Sequence, residues 1–141
     1  SKLPVTGGSF AVAEALNKFG AKTIGIISPY MPIANKHISQ FFTDIEFEVK
    51  NFIGLQGPSP VEISHVTPDQ LSEALDQVDE TDIDALVQFG TNLHFMDQAA
   101  LEEEKRKKPV ISINSASYWH ALRLKNIETR YKNYGRLLAE F

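Results

Sequence analysis

Four stretches of this chain bring together hydroxyls, amides and glycines: Ser28-Pro29-Tyr30 with Asn35 a turn on, Gly54-Leu55-Gln56-Gly57, Gly90-Thr91-Asn92-Leu93, and Asn114-Ser115. None of them carries an acid. Donors of this kind, joined by backbone N–H groups at the starts of following helices, favour an anion such as a carboxylate or phosphate. Taken singly, each residue serves equally well to cap a helix or turn the chain. It is the agreement of four stretches that points to a binding rim. The chain has no cysteine, so it holds no thiol nucleophile, no thiol acid or base and no thiolate metal site.

Other residues with chemical potential fit bland roles better. His37, His65, His94 and His120 have no metal-ligand spacing and pair with no acid in a metal motif, so no metal is expected. His94, just after the Gly90 stretch, is the one candidate proton donor among them. Thr6-Gly7-Gly8-Ser9 ahead of a helix resembles a phosphate cradle but lacks the lysine of a P-loop. The run Glu102-Glu103-Glu104-Lys105-Arg106-Lys107-Lys108 reads as a solvated helix end matched to the macrodipole. Trp119 reads as core. Lys125, Arg130, Lys132 and Arg136, interleaved with Tyr131 and Tyr134, have the composition of an RNA contact. The net charge of −4 and pI near 5.5 weigh against it, and no nucleic-acid partner is expected.

These residues need a scaffold, and the chain supplies the material for one. With 141 residues, 43% hydrophobic and 23% charged, it reads as a single globular α/β domain. No apolar run approaches the ~20 residues of a membrane span, and the opening SKLPVTGGSF lacks a signal-peptide pattern, so a cytoplasmic protein without a membrane partner is expected. Strands are expected at 23–28, 46–53, 83–89 and 109–113. The first, third and fourth are apolar like central strands, while Phe47, Val49 and Ile53 alternate with charges as at an edge. Between them, helices are expected over 9–19, stopped by Gly20, over 33–42, after Thr67, over 95–107 and over 116–125. Thr67, Pro68 and Gln70 form a strong start signal for the third of these. Alternating strands and helices at this spacing imply a parallel sheet, whose ligands bind beyond the carboxyl ends of the strands. The opening helix and the closing segment YKNYGRLLAEF both read as crossings toward another lobe.

The ordered motifs also resemble a family. Ser28-Pro-Tyr-Met-Pro-Ile-Ala-Asn35, Phe41-Phe42 and the strand 46–53 are similar to the "PY…N…FF…GFEV" segment of maleate cis-trans isomerases and arylmalonate decarboxylases, in the aspartate/glutamate racemase superfamily. Gly90-Thr-Asn-Leu93 aligns with that group's "CTNL" loop. Lys108-Pro-Val-Ile-Ser-Ile-Asn114, Tyr118-Trp-His-Ala-Leu-Arg123 and Tyr134-Gly-Arg-Leu137 match its "KPVITSN", "WHALRL" and "YGRLF" segments in order.

The resemblance implies a flavodoxin-like open four-stranded parallel sheet with helices on both faces, one lobe of a pseudo-symmetric two-lobe fold. Residues 1–113 would be the second lobe, and 114–141 a C-terminal helix and tail returning toward a first lobe. It implies a cofactor-independent isomerase, racemase or decarboxylase of small dicarboxylates, working through an enediolate or a thiol adduct, and a homo-oligomer, preferably a dimer. Tyr30, Asn35, Thr91 and Asn92 would bind the carboxylate substrate, with Tyr30 also catalytic. Gly90 stands at the family's second-lobe cysteine, and Pro60 falls about where maleate isomerases carry a carboxylate-binding asparagine. With a cysteine in the first lobe, protonation from the opposite face would remain, the mirror image of the decarboxylase arrangement. The alternative is a catalytically silent carboxylate-binding or structural module.

Overall fold

The computed structural model describes residues 3–57 and 59–141. The chain runs α1 (Gly8–Phe19), β1 (Thr23–Ser28), α2 (Pro32–Asp44), β2 (Glu48–Gly54), α3 (Pro60–Ile63), α4 (Pro68–Val78), β3 (Ala85–Gln88), α5 (Met96–Arg106), β4 (Val110–Ser112), α6 (Ile113–Leu124) and α7 (Arg136–Glu140). The strands form one sheet in the order β2-β1-β3-β4, with every pairing parallel. All carboxyl ends therefore point the same way, and the loops that leave them share one end of the sheet.

The side-chain period of two splits the core between the sheet's faces. Ile24, Ile26, Ala85, Val87 and Ile111 face α1, α2, α6 and α7, while Ile27, Leu86 and Val110 face α3, α4 and α5. This is the expected layering. Phe42 of α2 is fully buried and meets Phe41, Phe47 and Phe89 edge to face at 5.2, 6.1 and 5.9 Å. Aromatic pairs of that geometry add about 0.5–1.5 kcal/mol each beyond the area they bury.

The helix starts follow local chemistry. At α4, Thr67 Oγ1 accepts the Gln70 N–H at 3.3 Å and Gln70 Oε1 accepts the Thr67 N–H at 2.9 Å. The reciprocal cap anticipated from the residues is present, worth about 1 kcal/mol. α6 begins at Ile113, three residues before the expected 116, because Ser112 caps it by accepting the Asn114 N–H at 3.3 Å. Asn114 and Ser115 thus lie in the first turn of a helix rather than in a loop. The short helices α3 and α7 were not expected.

β2 lies at one edge, as its alternation predicts. β4, expected in the middle, is the other edge of this sheet. It reads as central because α5 and the C-terminal segment cover it: Val110, Ile111 and Ser112 are all buried. Glu103 of α5 occupies the open side, accepting the Val110 N–H at 3.1 Å and the Arg136 N–H at 2.7 Å. A paired side chain in place of a bare strand edge blocks adventitious sheet extension.

The flanking segments are fastened to α6. Thr6 Oγ1 lies 2.6 Å from His120 Nδ1, and Arg123 donates to the carbonyls of Phe141 at 2.7 Å and Thr129 at 3.2 Å. Leu137 and Leu138 are buried in the same cluster as α1 and Trp119.

Candidate functional site

The four stretches meet at the carboxyl end of the sheet and are tied to one another. The β2 loop hangs from the β1 loop, with Leu55 N–H donating to Ser28 O at 2.7 Å and Gly57 N–H to Pro29 O at 2.8 Å. The β3 loop abuts the β1 loop through Gly90 and Pro29. The start of α6 holds the β3 loop, with Asn114 Nδ2 donating to Thr91 O at 3.1 Å. No loop is positioned by itself.

Asn35 is absorbed by this frame. Its Oδ1 accepts from the hydroxyl of fully buried Ser28, and its Nδ2 donates to Tyr30 O at 3.1 Å. The Tyr30 N–H donates in turn to Ser28 Oγ at 3.2 Å. A Cβ on Gly54 would lie 2.1 Å from Asn35 Nδ2, so the neighbouring strand needs glycine for Asn35 to sit here. Tyr30 is half-buried against the core, whereas Thr91 and Asn92 are exposed on a turn closed by Leu93 N–H to Gly90 O at 3.3 Å. Neither the Thr91 nor the Asn92 N–H meets an acceptor among the described residues.

Gly90, at the expected thiol position, is built into the packing. Its φ is +147°, and a Cβ there would lie 2.4 Å from Pro29 Cδ and 2.6 Å from Pro29 Cγ. L side chains rarely adopt that backbone, and buried Pro29 fills the space a thiol would need.

One residue escaped sequence reading. Gln88, fully buried at the end of an otherwise apolar strand, donates from Nε2 to Gly90 O at 2.7 Å and accepts the Ser112 hydroxyl at Oε1, 3.3 Å away. The signal was an amide inside a buried apolar run, since a buried polar group calls for partners.

The rim is biased toward anions. α1, α2 and α5 begin at this end of the sheet, on Gly7, Met31 and Phe95, without a side-chain cap. Their first N–H groups carry the positive end of the helix dipole. The rim loops contribute no carboxylate. Beside the β3 loop, a depression of about 380 Å³ is lined by Thr91, His94, Asp97 and Asn114 among others. Another, of about 370 Å³, is lined by Asn35, Gly54 and Gln56. The Thr6–Ser9 stretch reaches the same end, where Gly8 packs on Ile113 at the start of α6. Among the described residues no group of three His, Asp or Glu side chains is placed to hold a metal, and no helix is long and apolar enough to cross a membrane.

An open four-stranded parallel sheet of order 2-1-3-4, with its polar loops gathered at one end, defines a flavodoxin-like α/β lobe. Comparison with known proteins places it more narrowly. The model of the arylmalonate decarboxylase family (Amdase) matches residues 1–138, and the chain belongs to that family. It is 25% identical to the maleate isomerase of Alcaligenes faecalis over 140 residues, 98% of this chain and 55% of that protein. The Nocardia farcinica maleate cis-trans isomerase bound to TRIS superposes with a TM-score of 0.92 at 21% identity, over 96% of this chain and 56% of that one. A maleate isomerase from Pseudomonas putida S16, solved with maleate, gives 0.91 at 23% identity, over 96% and 55%. The chain thus spans about half the length of the relatives it matches and corresponds to one lobe of the maleate isomerase fold.

Proposed function

We propose that this lobe supplies the carboxylate-binding half of a cofactor-independent active site for small dicarboxylates such as maleate or arylmalonates, in an isomerase, racemase or decarboxylase. Tyr30, Thr91 and Asn92 contact the substrate, and Asn35 holds the Tyr30 loop. The carrying observation is the pair of unpaired N–H groups on exposed Thr91 and Asn92, in a loop without acids beside three uncapped helix starts; Asp97, in the first turn of α5, is the one carboxylate lining the adjoining depression among the described residues. Such a surface stabilises a carboxylate and, equally, the charge of an enediolate formed from it. A thiol that adds to the substrate or protonates its carbon has to come from residues other than these. Residues 114–141 then return toward the lobe that provides it, and the assembled enzyme is a homo-oligomer.

The glycine packed against Pro29 favours a second reading, a lobe that binds carboxylates without turning them over. Both readings predict binding, and they separate on turnover by the longest natural form of the protein. For the chain described here, maleate and phenylmalonate raise the thermal midpoint by a few degrees as ligand binding shifts the folding equilibrium. Tyr30→Phe weakens that binding about tenfold, the scale of one lost hydrogen bond to a charged group, and leaves the unliganded midpoint in place. A midpoint indifferent to every dicarboxylate tried would overturn the carboxylate reading in both forms.

A further inference from the structure

We propose that Gln88 and Asn114 are positioning residues that hold the Thr91–Asn92 segment as a two-amide cradle for one planar carboxylate group. This rests on the carboxylate reading above and names the device by which the rim grips its ligand. The observation is a closed circuit of hydrogen bonds beneath the loop. Gln88 Nε2 donates to Gly90 O at 2.7 Å, and Gln88 Oε1 accepts the Ser112 hydroxyl at 3.3 Å. Ser112 Oγ accepts the Asn114 N–H at 3.3 Å, and Asn114 Nδ2 donates to Thr91 O at 3.1 Å. Gln88 and Ser112 are fully buried, so water does not substitute for either partner at low cost.

The circuit pins two successive carbonyls, those of Gly90 and Thr91, toward the sheet and α6. In a trans peptide the N–H points opposite the carbonyl. Pinning Gly90 O therefore turns the Thr91 N–H away from the sheet, and pinning Thr91 O turns the Asn92 N–H away from α6. Thr91 and Asn92 both have negative φ, and Leu93 N–H closes the turn on Gly90 O, so the backbone has the sense of a type I turn. In that conformation adjacent N–H groups face the same side, as in the first turn of a helix. Both are free of acceptors among the described residues. Two parallel N–H donors match the two oxygens of one planar carboxylate group, whereas a tetrahedral phosphate presents a third oxygen that neither the 28–31 nor the 90–95 loop meets with a lysine or arginine. In this scheme Ser112 couples the cradle to the start of α6.

The test is a titration of the 15N-labelled chain with maleate and, separately, inorganic phosphate. The expected result is that maleate shifts the Thr91 and Asn92 amide signals most, at lower concentration than phosphate. Asn114→Ala, which removes from a half-buried helix position only the side-chain bond to Thr91 O, is expected to keep the fold and to move those two amides in the unliganded protein. It also weakens maleate about tenfold, while the thermal midpoint and the Ile26 and Val87 amides stay in place. Gln88→Leu, if folded, does the same. Asn114→Ala binding maleate as tightly as the parent through the same two amides would overturn the circuit and leave the carboxylate reading standing. A parent that favours phosphate would overturn the planar-carboxylate assignment. A parent in which maleate moves no amide would overturn both readings.

Discussion

Gly90 shows most sharply how a single residue limits which side chains the candidate site accepts. A side chain there must enter a backbone at φ +147° and displace Pro29 from 2.4 Å. Backbone strain and overpacking each cost on the order of 1–3 kcal/mol. Gly90→Ala and Gly90→Cys should therefore both lose at least about 2 kcal/mol in denaturant unfolding. An unchanged midpoint for Gly90→Ala would mean that Pro29 yields freely. The missing thiol was legible from composition alone; the packing that excludes it was not, because Pro29 and Gly90 are neighbours only in the fold. Asn35 carries a similar lesson. Its type marked it as polar and near the site, but both ends of its amide are used on the Ser28–Tyr30 loop, which depends on Gly54 two elements away.

Between elements, α5 is clasped to α4 by charge. Arg106, nearly buried, donates to Glu102 at 2.7 Å, Asp79 at 2.9 Å, Asp76 at 2.6 Å and the Ser72 carbonyl at 3.2 Å, joining α5 to α4. The charge run read from the sequence as a solvated helix end is half clasp, since periodicity places a residue on a face without naming the helix opposite. Burial would raise the Asp79 carboxyl, but Lys108 and Arg106 outweigh it and hold Asp79 below the usual carboxylate range. Glu102 is held down in the same way by Ser72 and Arg106 against its burial. These lowered values stabilise the fold above the ordinary carboxylate range, and the gain disappears as pH falls through the folded-state values. Arg106→Met should cost about 3 kcal/mol near neutral pH by taking from buried Glu102 its close charge partner, while Asp79 keeps Lys108, and the penalty should shrink as Glu102 protonates in acid. A penalty that does not vary with pH would show that packing, not charge, is what is lost.

Glu103, one residue along, has the opposite sign. Its burial pushes the carboxyl above the usual glutamate range, against the N–H groups of Arg136 and Val110 that favour the charged form. Its contribution is therefore complete below the unfolded-state value and fades as pH rises through the folded one. Measured against Glu103→Gln, the parent's relative stability should decline over that interval and then level. A difference that grows with pH would refute the assignment.

At the scale of the whole molecule, parallel strands, helices between them and the end of the sheet where the polar loops gather could be read from periodicity and turn residues. The order 2-1-3-4 put β2 at the edge its charges predicted. β4 misled, because Val110 and Ile111 are buried by α5 and the tail rather than by a strand on each side. Gln88 was missed because its partners, Gly90 and Ser112, come together only through the pairing of β3 with β4. The fit of Pro29 against Gly90 also bears on descent. Proteins sit close to their stability threshold, and a mutation that destabilises before it is useful is purged. A lineage carrying this lobe cannot place a cysteine at position 90 by one codon change without crossing that valley. The accessible route runs through a prior, selectively quiet change that loosens Pro29, so the order of mutations, more than their number, governs whether a thiol can arise there.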